Sequence, residues 1–276
     1  MARTAVVTGG LRGLGRAMAL GLAEAGHRVL AVGHLAEDVA ETEHLADGLA
    51  LSCLVADLRA PGEADRVLAA ADARFGAVEI LVNNAGLTFT YIDPGRFADG
   101  PRRFFELTDE INQNVMDTNF GIAERLARRV APGMIARGWG RIVNVTTKLD
   151  TMNMRGSGPY GASKAALEMA SEIWAKELAG TGVTVNIVNP GAGANTPGMA
   201  AEMRAWSAAG TKPRLVEPDE MVAPLLFVVS DAANAVNGFR FDANAWDARL
   251  APEAAARAIA RPAGFQLHPA RMWDAA

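Results

Sequence analysis

Tyr160 and Lys164 stand four residues apart in Pro159-Tyr160-Gly161-Ala162-Ser163-Lys164, at the head of a stretch patterned as a long helix. Residues four apart on a helix share one face, about 5–6 Å apart at Cβ. A phenol has a pKa of about 10, and a neighbouring positive charge favours its phenolate. The pair can therefore pass a proton to or from an alcohol oxygen near neutral pH. The same spacing also describes a packed tyrosine beside a solvated lysine, so the chemistry needs further parts.

One such part is the turn Thr8-Gly9-Gly10-Leu11-Arg12-Gly13-Leu14-Gly15, which follows an apolar run and opens an amphipathic stretch. Glycines at 9, 13 and 15 permit a tight turn, a close backbone approach to phosphate and close packing of helix on strand. The helix N-terminus offers unpaired N–H groups and a partial positive charge to a pyrophosphate. Other chemistries find little support. The single cysteine, Cys53, lies in an apolar run and excludes an intrachain disulfide or a cysteine-rich metal site. His27, His44 and His268 have no partners at ligand spacing, so no metal is expected. No serine nucleophile elbow is present.

The elements that must position these residues alternate. Strands are expected over Thr4–Thr8, Arg28–Gly33, Leu51–Ala56, Glu79–Asn83, Arg141–Thr146 and Val183–Val188. They are mostly continuous apolar runs, as in a parallel sheet covered on both faces. Helices are expected over Leu14–Ala25, Glu63–Phe75, Asp109–Arg137, Tyr160–Ala179 and Asp219–Val229. The alternation predicts an α/β fold, a doubly wound, Rossmann-type parallel sheet with helices on both faces, in one domain. That domain is expected to span residues 1–247, with a tail over 248–276. Two segments break the rhythm: residues 87–107, rich in aromatics and arginines, and the proline-bearing tail after Trp246-Asp247.

The ordered motifs resemble the short-chain dehydrogenase/reductase family. The glycine turn has that family's TGxxxGxG spacing. Asp57 with Leu58 follows the third strand, Asn83-Asn84-Ala85-Gly86 follows the fourth, and Asn119 lies in Met116-Asp117-Thr118-Asn119-Phe120. Gly140–Thr147 ends in hydroxyls, Tyr160 and Lys164 form YxxxK, and Asn189-Pro190-Gly191 precedes Thr196. The resemblance covers roughly residues 4–240.

It implies a catalytic set of Asn119, Thr147, Tyr160 and Lys164. Tyr160 would be the general acid or base. Lys164 would lower its pKa and bind the nicotinamide ribose, and Asn119 would hold a water linking Lys164 to solvent. Thr147 stands thirteen residues before Tyr160, where the family usually has serine. It keeps the hydroxyl but adds a methyl group that restricts χ1. Cofactor contacts are expected from Gly9, Leu11, Arg12, Gly13, Leu14, Gly15, Gly33, His34, Asp57, Leu58, Asn84, Ala85, Gly86, Pro190, Gly191 and Thr196, besides Tyr160 and Lys164.

An acid at the end of the second strand selects NAD by binding the ribose diol. Gly33 stands there instead, Arg12 precedes Gly13, and His34 follows, so NADP(H) is expected to be preferred, with NAD(H) as the alternative. Substrate walls are expected from residues 87–107, 148–158 and 192–215, the last as a lid. Phe89, Tyr91, Phe97, Trp206 and several methionines offer apolar surface. Arg96, Arg102, Arg103 and Arg155 offer charge.

The expected function is an NADP(H)-dependent oxidoreductase interconverting a ketone or aldehyde with an alcohol. The alternatives are an epimerase or dehydratase that retains its cofactor, and a non-catalytic dinucleotide sensor. The partner is a small carbonyl or alcohol compound. A net charge of −4 over 276 residues gives no footprint for nucleic acid. No stretch is long and apolar enough for a membrane span, and no signal-peptide core appears near the start, so a cytoplasmic protein is expected. The resemblance further implies a homotetramer or dimer built on the helices over 109–137 and 160–179.

Overall fold

The computed structural model describes residues 1–96 and 100–265. Phe97, His268 and the end of the tail lie outside the described residues. Among those described, eight strands form one sheet: β1 (Thr4–Thr8), β2 (Arg28–Gly33), β3 (Leu51–Val55), β4 (Ile80–Asn83), β5 (Gly140–Asn144), β6 (Val183–Asn189), β7 (Phe239–Asp242) and β8 (Arg261–Pro262). Their order is β3-β2-β1-β4-β5-β6-β7-β8. All neighbours are parallel except β7 and β8. The winding reverses between β1 and β4, which opens a crevice above their C-terminal ends, where ligands bind in such sheets.

Side chains alternate across the sheet. Ala5 and Val7 of β1 point into one core with Met18 and Leu22 of α1 (Gly13–Glu24). Val6 points into the other core with Val67 of α3 (Glu63–Phe75). Between these helices, α2 (Val39–Leu45) is a short helix that the apolar pattern does not mark.

The helix expected over Asp109–Arg137 is interrupted. It runs as α4 (Asp109–Met116), a π turn over Asp117–Gly121, and α5 (Ile122–Arg137). The widened turn carries Asn119, whose buried amide binds neighbouring chain on both sides. One extra residue turns the apolar stripe by about 100°, but no proline marks the place in Asp117–Gly121, so the sequence reads as one helix. α6 (Tyr160–Glu177) starts where expected. Residues 192–215 contain α7 (Ala201–Ala208), and α8 (Val222–Val229) follows a 3-10 turn over Pro218–Met221.

The sheet does not end before Trp246. β7 is masked in sequence by Arg240, a fully buried arginine inside Phe-Arg-Phe-Asp. Beyond it, α9 (Pro252–Ile259) buries Ala255 and Ala256, and β8 pairs antiparallel with β7. Part of the tail expected from residue 248 is thus an integral edge of the sheet. No helix among the described residues is long and apolar enough to cross a membrane.

Candidate active site

One face of α6 is joined rung by rung to the end of β5. Tyr160, Lys164, Glu168 and Ser171 recur at helical spacing on that face. Ser171 Oγ accepts from Asn144 Nδ2 at 2.8 Å, and Glu168 Oε2 accepts from Thr146 Oγ1 at 2.9 Å. Lys164 Nζ donates to the Val145 carbonyl at 2.8 Å. At the open end, the Thr147 hydroxyl lies near enough to Tyr160 to pull the phenol's pKa down, against the effect of burial. Asn83 extends the buried ladder to β4 by donating to Asn144 Oδ1 at 2.8 Å.

The electrostatics differ from expectation at Tyr160. Burial raises the phenol above its ordinary pKa, and the Thr147 hydroxyl only partly opposes that. The expected lowering by Lys164 does not prevail. The ammonium is itself desolvated, which pulls its pKa down to about 8. Asn119 is buried, and both of its amide hydrogens are used, on the Leu87 carbonyl (3.1 Å) and Ser163 Oγ (3.0 Å). Its Oδ1 accepts from Leu87 N–H at 2.7 Å. The side chain therefore fastens the loop after β4 to α6, and a relay water would need Asn119's remaining lone pairs.

The glycine turn is built as a cradle. Gly9 and Gly13 have φ of 61° and 54°, the left-handed region that favours glycine. A Cβ on Gly15 would lie 2.0 Å from the Gly9 carbonyl oxygen. Asn84 Nδ2 donates to the carbonyls of Thr8 and Gly9, while Thr8 Oγ1 accepts from Asn84 and Ala85 N–H. Asn84 thus holds the turn in shape. Gly86 leaves room beside Lys164 and Asn119: a Cβ there would be 3.5 Å from Lys164 Nζ. No acid and no side-chain cap occupies the first turn of α1. The cradle fits a dinucleotide's phosphates.

A hollow at its far end is lined by Gly9, Gly33, His34, Asp57, Leu58 and Ala85. His34 is exposed at its rim. Leu11 is fully buried, and its side chain lies over Gly33, where a Cβ would meet Leu11 Cδ1 at 2.9 Å. Leu11 therefore fills the space beside Gly33, and Leu14 packs against the core. Two charged partners escape a reading by motif. Asp38 faces Arg12 at 3.6 Å. Arg59 forks onto Asp57 at 3.0 and 2.8 Å and holds its carboxyl below the usual range. Asp38 reads as a helix-start acid until the fold sets it against Arg12, and Arg59 lines the hollow itself.

Residues 3–208 match the family model described as short chain dehydrogenase. The chain belongs to the short-chain dehydrogenase family. It is 34% identical over 248 residues to a short-chain type dehydrogenase/reductase of Picea abies, covering 85% of this chain and 88% of that one. It is 33% identical over 244 residues to the 3-oxoacyl-(acyl-carrier-protein) reductase FabG of Vibrio cholerae, covering 86% and 93%. Among solved structures, an actinorhodin polyketide ketoreductase with NADPH superposes with a TM-score of 0.74 at 31% identity, covering 86% of this chain and 93% of that one.

Around the site of this short-chain dehydrogenase, Gly191 N–H is held by Asn189 Oδ1 at 2.8 Å beside Pro190. Thr196 packs on Gly13, where a Cβ would lie 3.2 Å from it. The segment expected to act as a lid is tied to the loop after β4: the Thr88 and Thr90 hydroxyls donate to the Gly198 carbonyl at 2.7 and 3.0 Å. Phe89 packs on Tyr160 with ring centroids 4.8 Å apart. Arg96 stacks on the Phe89 ring at 4.4 Å and donates to the Gly156 carbonyl at 2.6 Å. It is the arginine that joins this column. Arg102 pairs with Asp93, Arg103 sits by exposed Phe105, and Arg155 is exposed. Tyr91 accepts from Asn114 at the surface, and Trp206 lies near Lys212. Met221 is a core residue, while Met154 is exposed.

Proposed function

We propose that this short-chain dehydrogenase reduces a ketone or aldehyde to an alcohol with NADPH, and runs the reverse with NADP⁺. The observation that carries the reading is the buried Lys164 ammonium, one helical turn from Tyr160 and held at 2.8 Å by the carbonyl of Val145, two residues before Thr147. When bound, the nicotinamide supplies or takes the hydride at the carbonyl carbon. Thr147 donates to the carbonyl oxygen and fixes its place. Tyr160 gives that oxygen its phenolic proton as negative charge develops there. The resulting phenolate is stabilised by the Lys164 ammonium. Positioning and charge stabilisation are the protein's share of the rate.

A phenol raised by burial stays protonated at neutral pH, which favours its use as an acid in the reducing direction. Arg12, His34 and the missing acid at Gly33 support NADPH over NADH. The NADPH named with the solved actinorhodin ketoreductase agrees with that preference. Exposed Ile135 on α5 and Ile173 on α6 support assembly through these helices.

The test is a panel of ketones followed at the NADPH absorbance. Tyr160→Phe should lower turnover by about 10²–10⁴-fold while NADPH still binds. Substantial turnover in that variant, or none on any ketone by the unaltered protein, would overturn the reading.

A further inference from the structure

The Thr147 backbone has a buried partner of its own. Arg240, on β7, donates from Nη2 to the Thr147 carbonyl at 3.1 Å. Its side chain is 2% exposed. Nη1 forms an ion pair with Glu168 Oε2 at 2.9 Å, and Nη2 with Asp242 Oδ1 at 3.1 Å. Both acids have further duties. Glu168 accepts from Thr146 Oγ1 and from the Gly264 backbone. Asp242 accepts from Asn189 Nδ2 at 2.7 Å, and Asn189 holds Gly191.

Taking these charges out of water costs several kcal/mol per ion, and apolar replacements of a buried pair are often no less stable. Stability alone is a weak reason for such a network. Its geometry gives another. It grips the Thr146 hydroxyl, the Thr147 carbonyl and, through Asn189, the Gly191 N–H, in the two segments that flank the reacting centre. With its carbonyl held this way the Thr147 backbone has little freedom to shift, and the β-branched side chain adds a restricted χ1, so the hydroxyl it carries is kept in place.

We propose that Arg240 is a positioning residue, holding the Thr147 hydroxyl in register with Tyr160 through the Thr147 carbonyl. The proposal rests on the reading of Thr147 as the donor to the substrate oxygen. Misplacement by about 1 Å can cost about 100-fold in rate. Arg240→Met should therefore lower kcat by about 10- to 100-fold, with KM and NADPH affinity nearly unchanged, since the lost interaction matters mainly in the transition state. Arg240→Lys, which keeps a donor and the charge, should recover most of that loss.

The deciding measurement is coupling to Thr147. In a Thr147→Val background, Arg240→Met should cost little more, because the hydroxyl it positions is gone. A loss of equal size in both backgrounds would make Arg240 a general structural residue and overturn the proposal, as would an unchanged kcat. Should Arg240→Met fold poorly, the double variant Arg240→Met, Glu168→Leu removes both charges and carries the same comparison. Turnover by the unaltered enzyme separates a failure here from a failure of the reductase reading.

Discussion

Lys164 holds the backbone of Val145, two residues before Thr147, by a 2.8 Å hydrogen bond from its ammonium. No carboxylate pairs with it among the described residues. Its charge is therefore opposed by burial alone, and its pKa falls to about 8. Below that pH the ammonium is available to stabilise a Tyr160 phenolate. Above it, the charge is lost. The kcat/KM for ketone reduction, which reports the free enzyme, should fall as pH rises through about 8. Lys164→Arg keeps its charge at every accessible pH. Any residual activity should lack that limb, and a limb surviving at the same pH would assign it to another group.

The same burial affects stability. The ordinary lysine value is 10.5, so between about 8 and 10.5 the unfolded chain binds the proton that the folded chain has released. Stability contributed by this site therefore rises with pH across that window, and the cost is fully present below it. Lys164→Met should stabilise the fold at pH 7 by on the order of 1–3 kcal/mol. It should also flatten the rise above pH 8. Urea unfolding at pH 7 and pH 10 reads both, and a destabilised Met variant at pH 7 would contradict this account.

Gly33 lacks an acid, and it also lacks space for one. A Cβ there meets Leu11 Cδ1 at 2.9 Å. Gly33→Asp alone should lower the melting temperature and bind both cofactors poorly. Combined with Leu11→Ala, it should shift preference toward NADH by about tenfold or more, since an acid can then reach a ribose diol. Isothermal titration with both cofactors checks this. A single Gly33→Asp variant with tight NADH binding would show that Leu11 does not block the position.

Arg12 faces Asp38 across 3.6 Å, partly exposed. An exposed pair of this kind is worth about 0–1 kcal/mol, so a phosphate can displace the carboxylate. Asp38→Asn should tighten NADPH severalfold and leave NADH nearly unchanged. Arg12→Ala should weaken NADPH far more than NADH. Equal losses for the two cofactors would remove Arg12 from phosphate recognition.

The legible parts of the molecule were those that obey local rules. The strands beside the crevice are continuous apolar runs, and the glycine turn and the Tyr160/Lys164 spacing lie within a few residues. What escaped depends on distant chain. Arg240 reads as a break in a strand because its partner Glu168 lies far away in sequence. The π turn at Asn119 carries no proline that would mark it in sequence. The lowered pKa of Lys164 comes from burial rather than from any neighbour in sequence. Thr146 and Thr147 are adjacent and chemically alike, yet one faces Glu168 and the other Tyr160.

Residues 192–215 touch two things at once: Thr196 lies on Gly13 of the phosphate turn, and Gly198 is clasped by the loop that carries Phe89 onto Tyr160. A substitution that loosens this segment should therefore disturb the glycine turn and the wall beside Tyr160 together, so that NADPH affinity and turnover change in the same variant.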